Sequence, residues 1–274
     1  MKKILVPTDF SKEAEYALKV AAQLAKTYGS EIYLLHLIDL PLQQVDPLST
    51  PSELPAAMFF MEMANKKIEA LMASNYLEGL KVNVTIKPDN PFNGIINVCK
   101  KNKINMVIMG SHGATGIREV FIGSIAEKVV RHSDIPVMVI KKDHANFKVK
   151  HIVFASDFKK ESKHTYKQAI DIAKLFKAKI HLLMVNTPTS FITTSDANRR
   201  MQGFVKGIAF KDYTMNIYND ESIESGILNF ANEIKADLIG ISTHGRQGLS
   251  HFINGSLSED LVNHAKKPVL TFKI

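Results

Sequence analysis

Apolar positions in this chain fall into short continuous runs separated by longer amphipathic stretches. Ile4–Pro7, Ile32–Ile38, Met106–Met109 and Val137–Ile140 read as strands. Runs without polar alternation suit strands covered on both faces of a parallel sheet. A further strand is expected near 82–87. Between the first two strands, Ala14, Ala17, Leu18, Ala21, Ala22, Leu24 and Ala25 recur at helical spacing. Ser11 stands where an N-cap belongs, and Gly29 where a helix C-terminal glycine belongs. Further helices are expected near 56–75, 92–102 and 122–132, with Pro136 at the start of the last strand. Strand–helix alternation with short connections implies parallel sheets with right-handed crossovers.

The whole pattern occurs twice. Lys3-Ile-Leu-Val-Pro-Thr-Asp-Phe-Ser aligns with His151-Ile-Val-Phe-Ala-Ser-Asp-Phe-Lys at a spacing of 148, as does Leu34-Leu-His-Leu-Ile with Leu182-Leu-Met-Val-Asn. From the third strand onward the spacing is 132, so the first copy carries about 16 extra residues. These are expected within 41–60, where Pro41, Pro47, Pro51 and Pro55 suit a loop before a helix. Domain boundaries are placed at 1–143 and 148–274. Each copy ends on an apolar strand, 137–140 and 269–272, which would leave an exposed edge. The two copies are therefore expected to pair through these strands as an internal pseudo-dimer.

Each copy holds a glycine-spaced segment between its fourth strand and the next helix. In the first, Met109-Gly-Ser-His-Gly-Ala-Thr-Gly runs on to Gly123-Ser124-Ile125; in the second, Ile241-Ser-Thr-His-Gly-Arg-Gln-Gly runs on to Gly255-Ser256. A glycine-rich turn opening a helix suits phosphate, because backbone N–H groups approach closely and the helix N-terminus adds its positive dipole end. Gly110 and Gly113 are read as positions where a Cβ would block phosphate, with plain turn geometry as the alternative. Ser242 replaces Gly110 in the second copy and should weaken that site. Asp9, recurring as Asp157, is read as an acceptor for ribose hydroxyls or as a turn residue satisfying its own backbone. His112 and His244 recur in the loops as ligand-contacting or loop-packing residues; Arg118 and Arg246 can reach a phosphate or remain solvated. No metal-ligand cluster and no Walker phosphate loop is present. The dinucleotide fingerprint is absent too, since the glycines lie late in each unit.

Composition changes this picture little. At 274 residues with 45% hydrophobic and 23% charged content, the chain reads as globular. No run is long enough to span a bilayer, and the N-terminal apolar run is too short for a signal peptide, so a cytoplasmic location without membrane insertion is the expectation. The net charge of +8 favours anionic partners, but the lysines are scattered, the densest group being Lys141, Lys142, Lys148 and Lys150. Nucleic acid is not expected as a partner. Cys99 alone excludes an internal disulfide and reads as a small buried hydrophobe. Met58, Phe59, Phe60, Met61 and Met63 read as core packing, or as an apolar surface for a partner.

Pro7-Thr8-Asp9-Phe10-Ser11, Leu34-Leu35-His36-Leu37-Ile38-Asp39, the 109–124 segment and the closing Pro136-Val-Met-Val-Ile and Pro268-Val-Leu-Thr-Phe together resemble the universal stress protein family. The resemblance runs nearly the whole length, twice. It implies an α/β fold of two tandem Rossmann-like domains of the adenine nucleotide alpha hydrolase-like type, each a five-stranded parallel sheet in the order 3-2-1-4-5. It also implies adenine nucleotide, ATP or ADP or AMP with Mg²⁺, bound in the first copy. Backbone near Pro7 and Leu37 would hold adenine and Asp9, beside Thr8, the ribose. Met109, Gly110, Ser111, His112, Gly113, Ala114 and Thr115, with Gly123, Ser124 and Ile125, would hold the phosphates. Asp157, Val185, Ser242, His244, Gly245, Gly255 and Ser256 are the second copy's counterparts. A nucleotide-binding stress or signalling module with little hydrolysis is the leading expectation. A slow ATPase and a nucleotide-independent partner- or lipid-binding scaffold are the alternatives. Self-association of whole chains is left open.

Overall fold

The computed structural model describes residues 1–39, 53–111, 123–243 and 256–274. The first copy runs β1 (Lys3–Pro7), α1 (Lys12–Tyr28), β2 (Glu31–Ile38), α2 (Glu53–Met72), β3 (Val82–Pro88), α3 (Pro91–Asn102), β4 (Met106–Gly110), α4 (Ser124–His132) and β5 (Val137–Ile140). The second repeats it as β6 (His151–Ala155), α5 (Lys163–Phe176), β7 (Lys179–Asn186), α6 (Thr194–Val205), β8 (Tyr213–Asn219), α7 (Ile223–Glu233), β9 (Leu238–Thr243), α8 (Ser256–His264) and β10 (Val269–Lys273). The local signals act where they stand. The Ser11 side chain accepts a hydrogen bond from Ala14 N at 3.2 Å, and Gly29 closes α1 in the left-handed region at φ 65°. Asn90 caps α3 in the same way, with Pro91 at its first position.

All ten strands form one sheet in the order β3-β2-β1-β4-β5-β10-β9-β6-β7-β8. Within each half the order is 3-2-1-4-5 and every pairing is parallel. At the centre, β5 and β10 pair antiparallel with Val139 opposite Val269 and Val137 opposite Thr271. Lys273 from the second copy adds a 2.6 Å ion pair to Asp134 of the first. Alternate strand residues feed two cores. Ile4, Val6, Ile108, Phe154 and Leu270 face α1, α2, α5 and α6. Leu5, Val107, Val153 and Val269 face α3, α4, α7 and α8. Cys99 is buried in the second of these cores, and burial pushes its thiol up to about 12, too high for a nucleophile. No described helix is long and apolar enough to cross a membrane.

The methionine–phenylalanine cluster is not core. Met58, Phe59, Phe60 and Met63 are 67%, 57%, 49% and 41% exposed, whereas Ala64 and Ile68 further along α2 are buried. The cause lies in the repeat. Helix α2 has 20 residues and its counterpart α6 has 12. Part of the first copy's extra length therefore extends α2 rather than the segment before it. Met58, Phe59 and Phe60 lie in the added part of α2.

Across β6, β7 and β8, His181 Nε2 lies 3.1 Å from His151 Nδ1, and its own Nδ1 lies 2.9 Å from Thr214 Oγ1. Burial, then the neighbouring His151 and Lys179, holds His181 below the ordinary histidine range, with Asp212 opposing. His144 is lowered as well, first by burial. A histidine kept neutral in the fold binds its proton more readily when unfolded. Stability is thus present above the unfolded value and falls with pH below it. The melting temperature should be lower at pH 5.5 than at pH 7.5. In His181→Gln the difference should shrink without vanishing, because His144 remains; an unchanged difference would show that His181 does not contribute to it.

Candidate functional site

Strand β1 lies between β2 and β4. Connections leave its two sides in opposite directions, and ligands of open parallel sheets bind in the resulting crevice beyond the strand ends. A cleft of about 210 Å³ occupies this place. Its first wall is the turn after β1. Thr8 N donates to Leu35 O at 2.8 Å, and His36 Nδ1 lies 2.8 Å from Thr8 O. Phe10 takes a left-handed φ of 66°, donates its N–H to Thr8 Oγ1 at 3.1 Å, and packs its ring 4.5 Å from the His36 ring. Asp9 Oδ1 accepts from Ser11 N at 3.0 Å. These bonds fix the Asp9 carboxyl at the cleft wall. Pro7, Thr8 and Asp9 all line it.

The second wall is apolar and comes from Leu35, Leu37, Pro91 and Ile95. Gly94 lets Leu37 seat against α3, since an added Cβ there would lie 2.6 Å from a Leu37 methyl. The third wall is the start of α4. Gly123 N donates to Ser111 O at 2.7 Å and draws the two ends of the glycine segment together. Gly123, Ser124, Ile125 and Ala126 line the cleft beside Met109, Gly110 and Ser111. Helices α1 and α3 have side-chain caps from Ser11 and Asn90; α4 has none, leaving its first N–H groups facing the cleft. An apolar slot, a carboxylate and an uncapped helix N-terminus suit, in that order, a flat base, a hydroxylated sugar and an anion. His112, Gly113, Ala114, Thr115 and Arg118 lie outside the described residues. Ala14, Leu35, Pro91, Ile95 and Ala126 were not foreseen. The Asn90-Pro91 helix start was the available signal for one of them; the others are ordinary core residues that the crevice happens to expose.

Gly110, which also lines the cleft, excludes a side chain for a reason internal to the protein. A Cβ at this position would lie 2.7 Å from Glu13 C and 2.9 Å from Ala14 N. It is the first turn of α1, packed on the end of β4, that excludes a side chain. Ser242 at the matching place shows how the second copy copes. There a 3-10 turn, Lys160–Ser162, replaces the first α turn. Ser242 Oγ then meets Thr165 Oγ1 at 2.6 Å, and Thr165 Oγ1 also donates to Ser162 O at 2.8 Å. The serine points at the helix.

The second copy differs in other ways. Its cleft measures about 50 Å³ and is lined by Ala155, Asp157, Val185, Ile223, Ile227 and Ser242, among others. Ile223 stands where Pro91 stood. Lys159, in the place of Ser11, donates its N–H to Asp157 Oδ1 at 3.2 Å and pairs its ammonium with Asp157 Oδ2 at 3.1 Å. The carboxylate matching Asp9 is thereby engaged by a cation of its own chain. His244, Gly245, Gly255 and Arg246 lie outside the described residues, and Ser256 opens α8.

The model of the universal stress protein family matches residues 1–141 and 217–273. The chain belongs to the universal stress protein family. Among curated relatives, universal stress protein MJ0531 of Methanocaldococcus jannaschii is 32% identical over 143 residues, covering 52% of this chain and 82% of the relative. Universal stress protein MJ0577 of the same organism is 33% identical over 159 residues, covering 53% and 97%. A solved universal stress protein from Archaeoglobus fulgidus shares the fold along 99% of this chain and 96% of its own, with a TM-score of 0.73 and 24% identity. The long matches confirm the α/β Rossmann-like fold of the two halves.

Proposed function

We propose that the first copy, residues 1–143, is an adenine-nucleotide-binding module and that the second, residues 148–274, binds no nucleotide. One observation carries this reading: the cleft at the β1–β4 crevice unites Asp9, an apolar slot and the uncapped start of α4, while its counterpart measures only about 50 Å³ and has its carboxylate paired with Lys159. Adenine would lie between Leu37 and the backbone near Pro7, the ribose against Asp9, and the phosphates over Gly123, Ser124 and Ile125. No cluster of three metal-ligating side chains occurs among the described residues. Mg²⁺ would therefore be carried by the phosphates and water, with Asp9 as the nearest carboxylate. The β5–β10 pairing makes the second copy an internal partner of the first, so nucleotide state in one half can be read by a chain that is already paired. The proposed setting is the cytoplasm, in stress response or signalling.

Binding without turnover is the expected outcome. After incubation with Mg²⁺ and ATP, nucleotide released from the protein by denaturation should be recovered as ATP. Sustained phosphate release that disappears in Asp9→Ala would instead establish a slow ATPase. No thermal shift with any adenine nucleotide would favour the nucleotide-independent scaffold.

A further inference from the structure

On the sheet face that carries α1 and α5, the C-terminal ends of these helices converge. Tyr28 and Phe176, at matching positions of the repeat, meet with ring centroids 5.8 Å apart. The segment joining the copies crosses beside them and is held by one side chain: Gln23 Nε2 donates to His144 O at 2.6 Å, and Gln23 Oε1 accepts from Phe147 N at 2.6 Å. Between helices and segment lies a cavity of about 550 Å³, within the range of small-molecule sites. Tyr28, Phe147 and Phe176 supply three aromatic rings to its lining. Lys26, Lys148, Lys150 and Lys177 supply four cations, and no carboxylate lines it. None of these lysines forms an ion pair with another described residue. Two helix C-termini contribute about half a negative charge each, which four ammonium groups outweigh. A second hollow of about 260 Å³ adjoins the first through Gln23 and Lys26 and is lined in part by His144. The Nε2 of His144 is buried without a hydrogen-bond partner, a state that calls for water or a ligand atom.

We propose that this cavity is a second ligand site, built from both copies and their connecting segment, for a small aromatic anion. The rings receive the flat body and the lysines the charge. The site is separate from the nucleotide cleft: the two lie at opposite ends of α1, whose 17 residues span about 25 Å. It does not depend on nucleotide binding by the first copy.

The chain has no tryptophan, so Phe176→Trp and, separately, Phe147→Trp each place a single indole in the cavity. The probe is 8-anilino-1-naphthalenesulfonate, an aromatic sulfonate that quenches indole emission by energy transfer. Both reporters should quench saturably at one site per chain, with saturating Mg²⁺ and ATP leaving the titration unchanged. Adding Lys148→Glu and Lys177→Glu should weaken binding at least tenfold while circular dichroism and melting temperature stay as before. Sodium sulfate at the same concentration should not displace the probe. The proposal fails if neither reporter saturates, if the lysine reversals leave binding intact, or if sulfate competes equally and shows a plain anion site. It also fails if Phe59→Ser with Phe60→Ser abolishes the quench, which would place the probe on the exposed turns of α2.

Discussion

Gly110→Ala should cost both stability and nucleotide affinity, because the backbone of α1 packs against residue 110. The added methyl carbon would lie 2.7 Å from Glu13 C and 2.9 Å from Ala14 N, both backbone atoms with no rotamer to yield. Relief requires the first turn of α1 to move. That turn is capped by Ser11, whose N–H binds the Asp9 carboxylate, so the movement carries Asp9 off the cleft wall. Overpacking of this kind costs about 1–3 kcal/mol, or a melting temperature lower by several degrees in a chain of this size. Calorimetry should show at least a tenfold loss in affinity for Mg²⁺ and ATP. The reciprocal change, Ser242→Gly, should create no second site, because Ser242 points at Thr165, Ile223 lines the smaller second cleft and Lys159 engages Asp157. Appearance of a second site in Ser242→Gly would restore the simpler idea that the serine itself blocks phosphate.

Asp9→Ala and Asp157→Ala should behave as opposites. Removing a carboxylate that accepts hydrogen bonds from the ribose forfeits about 1.5–3 kcal/mol, roughly ten- to a hundredfold in affinity. Asp9→Ala should lose that much nucleotide binding. It should also lose some stability, since Asp9 Oδ1 accepts from Ser11 N at 3.0 Å in the part-buried turn after β1. Asp157→Ala should leave nucleotide affinity unchanged. It breaks the Lys159 contacts instead, in which the Asp157 side chain is only 11% exposed and also accepts from Lys159 N, so the cost falls on stability. Equal losses from the two substitutions would mean that both copies contribute to one bound nucleotide.

Much of the architecture could be read before any coordinates. Caps such as Ser11 and Gly29 act within a few residues, so their chemistry is written locally. The strands are continuous apolar runs because α/β sheets are covered on both faces, and the duplication made each half a check on the other. What escaped was set by distant neighbours. The Met58–Met63 stretch is as apolar as a core segment, yet Met58, Phe59, Phe60 and Met63 are exposed, the first three in the extra length of α2 relative to α6. Gly110 is visibly a position that rejects a side chain, but the atoms that reject it belong to Glu13 and Ala14, about a hundred residues earlier. Lys159 stands two residues from Asp157 in the sequence, and its consequence appears only once the turn folds its ammonium back onto the carboxylate. Pro91 and Ile95 enter the cleft because β2 brings Leu37 against α3, a pairing that no local pattern announces.

A single calorimetric titration of the unaltered chain with ATP in the presence of Mg²⁺ tests the asymmetry of the two copies most directly. The expected result is a stoichiometry near one nucleotide per chain. Two equal sites per chain, or no binding heat together with no thermal shift, would contradict it.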